Sequence, residues 1–206
     1  MVMSLKFQNR PILALVLIAN VAVWYVLLST GQADLGVASQ MAKDWQMVLP
    51  AGLAVIAAGI LCEQFDDVTK ARLVFWRWHN PLPGSQAFTK YGPKDSRVDM
   101  AHVARVAGAL PTNPEDQNRV WYRLYKTVRD LPAVASVHRE YLLLRDFSCI
   151  SVLLFLALPA FGWWWGMPIR LVAFHALGLV VEYLLVRRAA CRAGRRLVVN
   201  VLSAIG

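Results

Sequence analysis

The sequence predicts an all-α integral membrane protein: four transmembrane helices, with a helical cytoplasmic insert between the second and the third. Three observations carry that prediction. The 206 residues are 57% apolar, above the roughly 45–50% usual for soluble proteins. The excess sits in two blocks, one before residue 64 and one after residue 148, and the stretch between them has ordinary globular polarity. All but Lys43 and Arg170 of the 22 Lys and Arg fall in segments assigned to one side of the bilayer. That is the bias that orients membrane proteins. The expected division is 1–63 for a first hairpin, 64–147 for the insert, 148–188 for a second hairpin and 189–206 for a basic cytoplasmic tail.

The first span is expected over 11–29, an uncharged run preceded by Lys6 and Arg10. It is long enough to cross a hydrocarbon core of about 30 Å. Gly31 and Ala33 resemble a signal-peptidase site, but the run exceeds the 7–15 apolar residues of a secretory signal, and a retained helix is favoured. A short outer loop over 30–46 ends near Trp45. The second span runs from Met47 to Cys62 and is rich in small residues, among them Gly52, Ala54, Ala58 and Gly59. Small residues let helices approach closely in lipid, so these four are the candidates for oligomer packing.

Glu63 to Trp78 is expected to continue that helix, with Phe75, Trp76 and Trp78 interleaved with Arg72 and Arg77 at the headgroup layer. His79 to Gly92 reads as a turn-rich connection, since Pro81, Pro83 and Gly84 interrupt helices. It lacks the second glycine and the Lys-Ser or Lys-Thr of a phosphate loop. Asp99 caps a short helix over 100–109, and Asn113 caps a longer one that has Pro114 first and Glu115 and Asp116 in its opening turn. Val120, Trp121, Leu124, Val128 and Leu131 form its apolar stripe. Asp130 and Pro132 open a last helix that leads into the third span, Cys149 to Trp165, where Pro159 suggests a kink. Trp163, Trp164 and Trp165 form an aromatic belt, and Gly166, Met167 and Pro168 a tight turn. The fourth span covers Ile169 to Val186 and meets Arg187, Arg188, Arg192, Arg195 and Arg196. The following LVVNVLSAIG is expected along the membrane surface as an amphipathic segment.

The net charge of +9 is assigned to orientation and anionic-lipid contact rather than to nucleic acid. Arg119, Arg123, Lys126, Arg129, His138 and Arg139 are the candidate site for a phosphate-bearing signal or an acidic protein partner, against the plainer reading of a solvated basic face. Asn20, His175 and Glu182 are polar residues within apolar spans, where such groups mark function or a specific partner. Arg187 or Arg145 is the expected partner of Glu182, and Asn20 that of His175. Cys62, Cys149 and Cys191 match no zinc or redox spacing and read as reduced thiols, with lipidation or a redox switch as alternatives. The four histidines are scattered, and no HExxH, CxxC or serine elbow occurs. The expectation is a protein without enzymatic activity, cofactor or metal.

Three stretches, FWRWHNPLPGSQAF at 75–88, LPTNPEDQNRVWYRLYK at 110–126 and HREYLLLRDF at 138–147, resemble a segment of uncharacterised bacterial four-span membrane proteins. The resemblance implies a multi-pass protein of the bacterial inner membrane and carries no site residues. The order of two spans, helical block and two spans is similar to that of membrane effectors in anti-phage and CRISPR-associated systems. It implies a homo-oligomeric effector or channel-like protein gated from the cytoplasm. A non-conducting adaptor holding a soluble partner and a small transporter are the alternatives, though the two hairpins share no inverted-repeat pattern.

Overall fold

The computed structural model describes residues 5–30 and 45–206, with the side chains at 6, 28–30, 45–51, 54 and 55 outside that description. Gly31, Ala33, Lys43 and most of the expected outer loop therefore lie outside the described residues. Seven α-helices are described: α1 (Leu5–Thr30), α2 (Trp45–Gln64), α3 (Asp67–Phe75), α4 (Met100–Ala107), α5 (Pro114–Val128), α6 (Pro132–Trp164) and α7 (Ile169–Ser203). Two 3₁₀ turns and one π turn fill Pro83 to Lys94, and no strand occurs among the described residues. By length and composition, α1, α6 and α7 can each cross a membrane.

The helices divide into two compact units, Met1–Phe7, Asp67–Arg145 and Arg187–Gly206 in the first and Gln8–Asp66 and Asp146–Val186 in the second. In the second unit large apolar side chains point outward. Leu15, Ile18, Leu156, Ile169, Phe174 and Leu185 are each more than 60% exposed, while Trp24, Cys149, Leu154 and Leu158 fill its interior. Exposed apolar surface on this scale suits a lipid solvent rather than water. This surface and the three long apolar helices mark a membrane-embedded protein. Its α6 closes on a Schellman turn. Gly166 adopts φ 80°, its N–H donates to Trp163 O, and Met167 N–H donates to Gly162 O at 2.9 Å. Trp163 and Trp164 beside it are 68% and 83% exposed, as an interfacial aromatic belt requires.

The first unit has a conventional core in which Val74, Phe88, Val103, Trp121, Leu124 and Tyr141 meet. Asp99 caps α4 by accepting from Ala101 N and His102 N, and Asn113 caps α5 by accepting from Glu115 N. Leu131 lies past the end of α5 and is 45% exposed, so the expected stripe stops at Val128. The expected helix over Glu63 to Trp78 is interrupted: α2 ends at Gln64 and α3 begins at Asp67. The paired acids Asp66 and Asp67 suit a new helix N-terminus. α3 then stops where Trp76 turns to φ 52°.

A second correction concerns the C-terminus. The segment from Leu197 onward is not an amphipathic strip at a lipid surface. Val198, Val201 and Leu202 are fully buried within the first unit. Ala190, Ala193, Leu197, Val198, Val201 and Leu202 recur at helical spacing, so one face of α7 is apolar. The other face keeps its arginines outward, Arg196 pairing with Glu140.

Candidate functional site

The three stretches that carry the resemblance fall in the first unit, apart from Asp146 and Phe147 at the end of the third. Between Gly84 and α5 the approach is close: a Cβ on Gly84 would lie 2.6 Å from Asn118 Oδ1 and 2.6 Å from Trp121 Cε3. The loop before it is held by Ser85, whose hydroxyl lies 2.8 Å from Asn80 O and 2.7 Å from Leu82 O. Arg77 crosses the loop to donate to Tyr91 Oη. Buried Gln117 joins α5 to the π turn, accepting from Phe88 N at 3.1 Å and donating to Thr112 O at 2.8 Å.

The same face of α5 also borders a cleft of about 330 Å³. α5 contributes Asn118, Trp121, Tyr122 and Tyr125, with Arg129 just past its end, and α6 contributes His138, Tyr141, Leu142 and Arg145. Trp121 and Tyr122 each stack on Tyr125, at 5.7 and 5.8 Å between centroids. The Tyr125 hydroxyl lies 2.8 Å from His138 Nδ1. Burial pushes the His138 imidazole below its ordinary value, and nearby Arg145 adds to this. Burial raises the Tyr125 phenol, with a further contribution from Tyr122. At neutral pH the pair is therefore uncharged. Arg145 is 3% exposed and donates to Asp67 Oδ1 at 2.8 Å, while Asp67 is 65% exposed. The cleft thus offers stacking surface, a neutral Tyr–His pair and one buried cation whose counter-ion faces solvent.

Of the six basic candidates, Arg129 and His138 line this cleft. Arg119 pairs with Asp116 on the surface, Arg123 and Arg139 are exposed, and Lys126 lies over the Tyr122 ring at 4.9 Å. Trp121, Tyr122, Tyr125, Tyr141 and Arg145 were not among the sequence candidates. Their signal was present as spacing: 118, 121, 122, 125 and 129 share one helical face, as do 138, 141, 142 and 145.

In the second unit, Asn20, His175 and Glu182 line one groove of about 260 Å³ between α1 and α7. Their partners differ from those expected. Glu182 accepts from Ser151 Oγ at 2.9 Å, and Arg187 stacks over Trp76 at 3.5 Å. Asn20 Nδ2 donates to Val16 O of its own helix. Neither ring nitrogen of His175 has a hydrogen-bond partner among the described residues. In the small-residue stripe, Ala58 is buried, a Cβ on Gly59 would lie 3.5 Å from Leu17 Cδ1, and a Cβ on Gly52 would meet no described residue within 4 Å outside its own helix. The surroundings of Ala54 are outside the described side chains. Cys62 and Cys149 are buried, and Cys191 donates to Val74 O. Burial raises the Cys191 thiol and so lowers its thiolate fraction.

No protein-family model, no curated protein and no solved structure matches the chain.

Proposed function

We propose that this protein is an oligomeric, channel-like effector of the bacterial inner membrane. It has four spans with both termini in the cytoplasm, and it is gated by an acidic ligand in the aromatic cleft, in a role such as anti-phage defence. The observation that carries the reading is the placement of His138, Tyr141 and Arg145. They line the cleft and ride on α6, a helix unbroken from Pro132 to the exposed tryptophans at Trp163 and Trp164. A ligand that shifts these side chains acts directly on a helix long and apolar enough to cross the bilayer. The ligand class follows from the walls. Tyr122, 49% exposed, offers a stacking face, and Arg129 together with Arg145 suits a phosphate or carboxylate. A nucleotide-like phosphate ester satisfies both.

In this reading α2 is also a span, the second in chain order, and Gly52, whose Cβ position meets no described residue within 4 Å outside its own helix, faces another copy. Cysteine accessibility tests the topology. Single cysteines at Ala38 and Gly166 should be labelled from outside, and cysteines at Lys94 and Gly206 only from inside. External labelling at Lys94 would refute the arrangement. Gating is tested by dye release from vesicles holding the purified protein, with mononucleotides and inorganic phosphate added on the side of the first unit. Release should require ligand and be lost in Arg129→Gln. Saturable binding without release would instead support the non-conducting adaptor.

A further inference from the structure

The groove in the second unit is a separate site. Five apolar residues, Ala19, Val23, Leu27, Phe174 and Leu179, form its walls, and Asn20, His175 and Glu182 supply its polar groups. Val23 and Phe174 are 54% and 65% exposed, so the groove opens on the apolar outer surface of the helices. Its floor is the backbone at Gly178, whose Cβ position meets no described residue within 4 Å outside its own helix.

The hydrogen-bond inventory is one-sided. Asn20 spends one of its two N–H groups on Val16 O at 3.0 Å, which leaves one N–H and its carbonyl oxygen. Glu182 Oε1 takes the Ser151 hydroxyl, which leaves Oε2 and the remaining lone pairs. His175 is 4% exposed, and neither of its ring nitrogens meets a partner among the described residues. A neutral imidazole has one acceptor and one donor. Acceptors therefore outnumber donors, and one of them is a carboxylate in apolar surroundings. Such a carboxylate is costly to leave without a cation.

We propose that this groove binds a lipophilic organic amine. Its ammonium N–H groups meet Glu182, and its apolar body lies over Gly178 against Val23, Leu27 and Phe174. His175 and Asn20 take any further donor the ligand carries toward the opposite end of the groove. The ligand enters from the bilayer side, where Phe174 is exposed. The site stands apart from the aromatic cleft and does not depend on gating there.

Fluorescence polarisation of 9-aminoacridine tests this, with the full chain in nanodiscs of zwitterionic lipid. Saturable binding is expected, competed by n-octylamine and not by n-octanol. Glu182→Gln keeps an oxygen acceptor for Ser151 and should weaken binding about ten- to a hundredfold, the range for losing one charge-assisted contact. Gly178→Leu adds bulk where no described residue outside its own helix stands within 4 Å. It should abolish binding while the melting temperature, measured on the same sample, stays near wild type. Equal competition by octanol would reduce the groove to an apolar slot and overturn the assignment. So would wild-type affinity in either variant, or no saturable binding at all.

Discussion

Replacing Gly84 by alanine tests whether the loop and α5 form one packed unit. The added Cβ would stand 2.6 Å from both Asn118 Oδ1 and Trp121 Cε3, and 3.0 Å from Trp121 Cδ2. Ordinary contact begins at 3.4 Å, so the overlap is about 0.8 Å on two sides. The Asn118 side chain can rotate away. The Trp121 ring cannot, because it is 6% exposed and stacked on Tyr125. Overpacking of this kind costs about 1–3 kcal/mol. At roughly 2–4 °C per kcal/mol for a chain of this size, the melting temperature should fall by about 2–12 °C. The assay is thermal unfolding in detergent, followed by tryptophan fluorescence, with Gly178→Ala as the control, since among the described residues nothing outside its own helix lies within 4 Å of that Cβ position. Ligand affinity at the cleft should fall with stability, because the displaced ring is its wall. A Gly84→Ala protein as stable as the control would refute the close packing of the loop on α5.

Asp67→Asn removes the counter-charge of buried Arg145 and should destabilise the protein by about 1–3 kcal/mol. An acidic ligand should then raise the melting temperature of the variant more than that of wild type, and equal shifts would count against Arg145 as a ligand contact. The lowered His138 titration makes stability depend on pH. The unfolded chain binds the proton more readily, so this contribution is complete above about pH 6.5 and is lost as pH falls through the lower folded value. Melting temperatures of wild type and His138→Gln should converge on acidification, and parallel curves would contradict the assignment. Gln117→Leu should cost about 1–3 kcal/mol, because Phe88 N–H, buried against α5, loses its acceptor; an unchanged denaturation midpoint would show that another group takes over.

What the sequence disclosed followed the range of the interaction. Local signals were legible. The caps at Asp99 and Asn113, the Pro114 start and the turn at Gly166 each depend on a few neighbouring residues, and each is present. The break at Phe65 and Asp66 was missed because hydropathy runs smoothly across it, while the paired acids at 66 and 67 were its local sign. The burial of Val198, Val201 and Leu202 was half legible. The apolar face was visible, but periodicity alone cannot say whether lipid or protein covers it. The cleft was obscured by attention to charge, since Arg119 and Arg123 were conspicuous yet lie on an exposed face. The contact between Asp67 and Arg145, 78 positions apart, has no local signature at all.

That contact explains how an anion could act in the cleft without a large energetic cost. Removing a partner from a buried charge costs several kcal/mol when nothing replaces it. On the proposed reading an incoming phosphate would replace Asp67 rather than simply remove it, so Arg145 would stay paired throughout. Asp67 is already 65% exposed, and its return to water is nearly free of desolvation cost. The exchange is therefore close to balanced in electrostatic energy, while its mechanical result is not. In the free protein the Arg145–Asp67 pair ties α3 to α6 at 2.8 Å. On the proposed reading, phosphate on Arg145 would release that tie and would join α6 instead to Arg129 and to the aromatic wall of α5. A signal of this kind needs only a modest difference in affinity between the tied and untied states. On the proposed reading that difference would come from the added contacts to Arg129 and the α5 rings, since the exchange at Arg145 is itself close to balanced.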